Sequence, residues 1–390
     1  MRYIFKNVRV VTPEGTADWL VIDGPRIAKV GVGEMPPCED ALYIDGRGGY
    51  LLPAFIDMHV HGAAGADTMD ATPEALRHIA RFLAAHGVAY FLATTITASR
   101  QAISSALHNA AAHLGAQPDG ATLLGVHLEG PYINTKARGA QPAEHIRLAE
   151  PAEYEDWLAL DVIRQVTVAP EFVENHAFIR ACAQRGIVVS LGHTQATYEQ
   201  ALAAVSIGAR QVTHTYNAMT GLHHRAPGVV GAALTCDALL CELIADNLHV
   251  HPAAMKLLVR AKGTSGVIAI TDAIRATGVG EGESELGGQI VYVRDGKATL
   301  ADGTLAGSIL TMDAALRNLR AATGLPIEAL APIFSTNAAR QLGLAKRKGI
   351  LHTGYDADLV LLDASAHVVM TFAEGHLIYS RRPDHVYFPS

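Results

Sequence analysis

Leu51-Leu52-Pro53-Ala54-Phe55-Ile56-Asp57-Met58-His59-Val60-His61 is an apolar run that ends on two histidines separated by one valine. On an extended strand, alternate side chains point to the same face. The two imidazoles therefore converge on one point, as metal ligation requires. A His-x-His pair alone is weak evidence. Its weight comes from the rest of the chain, where acidic residues and histidines recur at the ends of later apolar runs.

Working outward, seven further strand-like runs follow, over 90–96, 122–129, 166–171, 187–193, 211–214, 241–246 and 266–272. Helical patterns separate most of them. The stretch 73–86 starts at Pro73 and carries Leu76, Ile79, Ala80 and Leu83 on one stripe. Other helices are expected near 99–113, 174–185, 197–207 and 252–262, with two more near 308–322 and 326–342. Eight apolar strands alternating with helices predict an α/β fold, a (β/α)8 TIM-like barrel. Both ends of the chain read differently. Tyr3–Val11, Trp19–Ile22 and Ile27–Gly31 are strand-like, with an Asp23-Gly24 hairpin signal. At the other end, 357–363, 366–372 and 375–379 repeat that character. A small β-sandwich domain built from 1–50 and 350–390 is expected, with the barrel over 51–349 inserted between its halves.

Composition narrows the class. Of the 390 residues, 49% are hydrophobic and 18% charged, enough to bury a large core. The net charge of −7 comes without a basic cluster, which argues against nucleic acid and acidic membrane surfaces as partners. Cys38, Cys182, Cys236 and Cys241 form no Cys-x-x-Cys and read as small hydrophobes in a reducing compartment. Met1–Asn7 shows no apolar signal region, and no run has the length of a membrane span. A cytoplasmic enzyme is expected.

Barrel enzymes carry their chemistry at the C-terminal ends of the strands. Here those ends hold His59 and His61, Glu129, His193, His214 and Asp272. Singly, a strand-end histidine is an ordinary hydrogen-bonded residue and a carboxylate an ordinary helix cap. Six of them in barrel register point to a divalent metal, because imidazole and carboxylate are the usual ligands of zinc and iron.

The pieces His127-Leu128-Glu129-Gly130-Pro131, Gly192-His193-Thr194, His214-Thr215-Tyr216-Asn217-Ala218-Met219, Ala245-Asp246-Asn247-Leu248-His249, Ile270-Thr271-Asp272-Ala273 and Leu305-Ala306-Gly307-Ser308 go further. In order and spacing the chain resembles the amidohydrolase superfamily and, within it, the N-acetylglucosamine-6-phosphate deacetylase family. The resemblance implies Glu129, His193 and His214 as core metal ligands, and His59 and His61 as ligands of a second ion. One or two ions are thus implied, zinc first and iron as the alternative. It implies Asp272 as the catalytic carboxylate, and Asn217, the Ala218 amide and Arg225 as a phosphate grip. The arginine comes from a neighbouring subunit in that family, so a homodimer is implied. His249 would contact a sugar-phosphate substrate, and Gly307 would line an acetyl-sized pocket, since glycine allows close approach.

Two positions depart from the family pattern. Gln141 stands where some members have a histidine near the substrate; an amide can donate a hydrogen bond but cannot become an imidazolium. Pro53-Ala54 replaces the usual Pro-Gly. The expected reaction is deacetylation of N-acetylglucosamine 6-phosphate, with a related amino-sugar phosphate such as N-acetylgalactosamine 6-phosphate as the rival. A carboxylated-lysine amidohydrolase is disfavoured because the fourth strand ends in Ala169-Pro170-Glu171, without lysine. A non-catalytic sugar-phosphate sensor is disfavoured because every ligand and the carboxylate are retained.

Overall fold

The computed structural model describes residues 1–35, 40–117, 119–381 and 386–387. Cys38 lies outside them; Cys182 and Cys241 are buried and unpaired, and Cys236 is half-buried. The central sheet holds eight parallel strands: Phe55–Val60, Val88–Thr95, Thr122–Glu129, Ile163–Val168, Val188–Leu191, Ala209–Val212, Leu240–Ile244 and Val267–Ile270. Each pairs with the next in chain order. Most of their residues are buried, as a parallel sheet covered on both faces demands.

The sheet curls until its first and last strands meet at the mouth. His61 N donates to Ala273 O at 2.8 Å, and Asp272 N donates to His59 O at 2.9 Å. Asp57 reinforces this seam by accepting from Thr271 Oγ1 at 2.6 Å. Burial pushes the Asp57 carboxyl up to about 6, against the pull of that bond. The predicted barrel is therefore present, and its closing seam carries three of the six candidate site residues. Its first helix, Pro73–Ala85, is capped by Thr72, opens on Pro73 and buries Leu76, Ile79, Ala80 and Leu83, as its periodicity predicts.

The run 51–61 is not one strand. Leu42–Pro53 belongs to a second sheet, and the barrel strand begins at Phe55. Ala54 N donates to Asp358 O while Phe55 N donates to Gly87 O, so the chain changes sheets at this residue. Ala54 needs no positive φ to do so. Among the described residues the second sheet has nine strands; its main path runs His376–Ser380, Val368–Ala373, Leu359–Leu362, Leu42–Pro53, Arg2–Thr12, Trp19–Asp23 and Arg26–Gly31. It folds over on itself. Ile27 from one end and Met370 and Phe372 near the other share a core with Phe5, Leu20 and Ile22. Tyr50, Leu52, Val360 and Leu362 instead join the core of the barrel.

A three-stranded antiparallel sheet, Gly282–Leu286, Gln289–Arg294 and Lys297–Thr299, follows the eighth barrel strand. Leu286, Val291 and Val293 pack with Ile96, Ala140 and Ile274 and place this sheet beside the barrel mouth. Among the described residues, no helix is long and apolar enough to cross a membrane.

Candidate metal centre

The site begins with a shared local geometry. His193, His214 and Asp272 each stand two residues beyond the last residue of a barrel strand. All three adopt left-handed backbone, with φ of 48°, 29° and 51°. Non-glycine residues rarely do this, and such conformations gather at functional sites. The bend turns each side chain inward over the barrel mouth.

There they meet Glu129. Its Oε1 lies 3.3 Å from His59 Nε2, 3.4 Å from His193 Nε2 and 3.3 Å from His214 Nε2. Its Oε2 lies 3.3 Å from His61 Nε2. Across from Glu129, Asp272 Oδ1 sits 3.4 Å from His59 Nε2 and 3.3 Å from His61 Nε2. All six residues are buried. Two ligand groups share the Glu129 carboxylate: His59 and His61 with Glu129, and Glu129 with His193 and His214.

The arrangement fits a divalent cation. His193 Nε2 and His214 Nε2 point at each other across 3.1 Å, and His59 Nε2 and Glu129 Oε1 are buried without a hydrogen-bond partner among the described residues. Ligand atoms about 2.1 Å from a common ion in tetrahedral array stand about 3.4 Å apart. The observed separations match. Outer contacts fix two of the rings: His193 Nδ1 lies 2.9 Å from Ala137 O, and His59 Nδ1 lies 3.2 Å from Glu242 Oε2. Such partners select which ring nitrogen keeps its lone pair for a metal.

Charge tells the same story. Burial opposes ionisation throughout. Even so, Glu129 and Asp272 hold the His59 imidazolium well above its ordinary range, and His61 is pushed up to about 9 by Asp272 and Glu129. In the other direction, and again against burial, His59 holds both Glu129 and Asp272 below the usual carboxylate range. Anions and imidazoles are packed so tightly that each needs the other, or a cation, to stay buried.

A cavity of about 420 Å3 opens above this floor. Asn217, Ala218, His249, Gln141 and Gly307 all line it, as the sequence led us to expect. His249 is held by Asp246, whose Oδ2 is 2.6 Å from its Nδ1; burial works against its charge, but that contact raises its pKa. Gln141 differs from its expected role. Its Nε2 donates to Glu129 Oε2 at 2.6 Å, while its Oε1 accepts from Thr97 N. It braces the central carboxylate. Arg225 lies apart, on an exposed loop with its guanidinium 2.6 Å from His224 Nε2, and does not line the cavity.

The sequence of this chain matches the amidohydrolase family over residues 50–379. The chain belongs to that family. The membership makes it a hydrolytic enzyme and implies a divalent metal at the centre just described. Among curated relatives, an N-acetylglucosamine-6-phosphate deacetylase from Lysinibacillus sphaericus is 42% identical, over 96% of this amidohydrolase and 97% of the relative. An N-acetylgalactosamine-6-phosphate deacetylase from Escherichia coli O157:H7 is 40% identical over 97% and 99%. Among solved structures, N-acetylglucosamine-6-phosphate deacetylase from Thermotoga maritima superposes with a TM-score of 0.87 at 37% identity, covering 97% of this chain and 99% of that one.

Sequence reasoning missed some parts of the site. Leu286 of the three-stranded sheet lines the cavity. Its hairpin signals, Gly287-Gly288 and Asp295-Gly296, were there to be read. Glu242 lies inside an apolar run, Leu240–Ile244, whose pattern marks only a buried strand.

Proposed function

We propose that this amidohydrolase removes the acetyl group of N-acetylglucosamine 6-phosphate, giving glucosamine 6-phosphate and acetate. One observation carries the reading: Glu129 gathers four imidazole nitrogens within 3.4 Å on the floor of the barrel-mouth cavity, with Asp272 facing them. The cavity volume, about 420 Å3, lies within the usual range for small-molecule sites, roughly 300–1,000 Å3.

Glu129, His193 and His214 would hold one ion, and His59 and His61 with Glu129 a second. Nitrogen and oxygen ligands suit zinc first and iron as the alternative. A divalent cation supplies Lewis acidity, which lowers the pKa of water towards neutrality and polarises a carbonyl. The remaining work falls to the chain. Asp272 is held ionised below the usual carboxylate range, so it can take the proton of the attacking water. The water oxygen bonds to the acetamide carbon, the C–N bond breaks, and Asp272 passes the proton to the departing amine. Its backbone is fixed on both sides, since Asp272 N donates to His59 O and Ser308 N donates to Asp272 O at 2.7 Å. Gln141 has committed one N–H to Glu129; its second is the donor left for the substrate carbonyl.

Asn217 and the Ala218 N–H would receive the phosphate, His249 the sugar, and Gly307 the acetyl methyl. Arg225 does not reach its own cavity, which supports a homodimer in which Arg225 of a second copy completes the phosphate grip. We further propose two domains, the barrel and a β-domain built from both ends of the chain, with the boundary expected at 50/51 moved to Ala54, where the chain changes sheets. A cytoplasmic location fits, where phosphorylated sugars are retained.

The test is acetate release from N-acetylglucosamine 6-phosphate by metal-loaded protein. No release from this sugar or its galactosamine epimer, with metal bound, rejects the reading. The epimer is the second reading, favoured by Gln141 and by the relative from Escherichia coli O157:H7. A kcat/KM at least tenfold higher on the galactosamine substrate would select it.

A further inference from the structure

Glu242 sits on the seventh barrel strand, Leu240–Ile244, fully buried beneath the candidate metal centre. A carboxylate in that position is costly unless several donors reach it. Four groups do. Oε1 accepts from Gln165 Nε2 and from Gln211 Nε2, both at 2.6 Å. Oε2 accepts from the backbone N–H of His214 at 3.1 Å and lies 3.2 Å from His59 Nδ1. Gln211 Nε2 also donates to Gln165 Oε1 at 3.0 Å, which locks both amides with their N–H groups towards Glu242.

We infer that Glu242 is a positioning residue shared by the two ligand groups, setting the tautomer of His59 and the backbone of His214. With both Glu242 oxygens acting as acceptors, His59 must carry its proton on Nδ1. Its lone pair then sits on Nε2, the atom that faces Glu129 Oε1 and Asp272 Oδ1. The same Oε2 tethers His214, whose φ of 29° needs an external hold. Glu242 does not line the cavity, so it acts through the two histidines and not on a substrate. The inference rests on the metal-centre reading.

Glu242→Gln is the natural variant. Four donors converge on this side chain, so either orientation of a glutamine amide sets N–H against N–H. Full-length wild-type and variant proteins would be stripped with a chelator and titrated with zinc against a chromophoric competitor. Zinc affinity should fall by about 10–100-fold in the variant. In nitrogen-15 spectra of histidine-labelled, zinc-loaded wild-type protein, with His59→Asn for assignment, His59 should bear its proton on Nδ1. A folded Glu242→Gln protein with unchanged zinc affinity overturns the inference. So does a wild-type His59 protonated on Nε2, a result that stands even if the variant does not fold. Wild-type protein that takes up no zinc or other divalent ion removes the metal centre itself and this inference with it. Wild-type uptake with an unaltered variant removes this inference alone.

Discussion

Two buried ionic clusters sit at opposite ends of the same barrel, and they are balanced in different ways. At the closed end, Lys348 Nζ lies 2.6 Å from Tyr90 Oη, 2.8 Å from Asp356, 3.0 Å from Glu374 and 3.2 Å from Asp358. Arg347 and Arg26 pair with Asp356 as well. Burial works against the Lys348 charge, yet Asp358 and its neighbours raise its pKa. That cluster carries its own positive charge and joins the second barrel strand to the terminal sheet. At the open end, Glu129 and Asp272 face four imidazoles and, among the described residues, no lysine or arginine pairs with them. There the positive charge must come from protons or from an imported ion. A buried cluster that contains its counter-charge is architecture; one that lacks it is a receptor for a cation.

The two clusters should respond differently to the same kinds of perturbation. The largest effect is expected from metal removal: a chelator should abolish acetate release, and a divalent metal should restore it, while circular dichroism shows the fold retained. Next, Asp272→Asn should lower kcat by roughly 10²–10⁴-fold, because attack and leaving-group protonation share that group. Metal content, measured by elemental analysis, should stay unchanged. At the closed end, Lys348→Met leaves carboxylates without their cation and should cost about 3–5 kcal/mol in a urea melt. Metal per folded molecule should not change; a loss of metal would show that the two clusters are one unit.

The ends should also part company in pH. In the metal-free chain, burial opposes the His61 charge, but Asp272 and Glu129 push the imidazole up to about 9 from an ordinary 6.5. Its proton therefore stabilises the folded chain below pH 6.5, and that contribution disappears as pH rises through 9. Metal-free protein should lose stability on the order of a few kcal/mol across this window. Metal-loaded protein, whose imidazole nitrogen is already deprotonated, should show a flat profile there. The smallest effect concerns Gly307. It holds φ of 56°, and a Cβ there would meet Ile274 Cγ2 at 2.4 Å and Asp272 O at 3.0 Å. Gly307→Ala should displace Asp272 and reduce kcat by roughly tenfold, a rise of about 1.4 kcal/mol in the activation barrier.

Much of this was legible because barrel geometry converts a position in sequence into a position in space. Glu129, His193, His214 and Asp272 were picked out as ends of apolar runs, and all four ends meet at one mouth. The run 51–61 misled for the opposite reason. Strand pattern records burial, and Leu52 and Phe55 are equally buried although they lie in different sheets. Glu242 had no local signal at all. Its partners His59, Gln165 and Gln211 are 183, 77 and 31 residues away, and only closure of the barrel brings them together. Arg225 shows a different limit: one chain by itself gives it no work at its own cavity.

The terminal sheet sets an order of assembly. Its Leu42–Pro53 strand is flanked by Arg2–Thr12 on one side and Leu359–Leu362 on the other. During synthesis the amino-terminal strands emerge first and must wait for some three hundred residues before their neighbour leaves the ribosome. The catalytic cylinder can thus be largely built while its supporting sheet is still open, and the strands Leu359–Leu362, Val368–Ala373 and His376–Ser380 act as the latch.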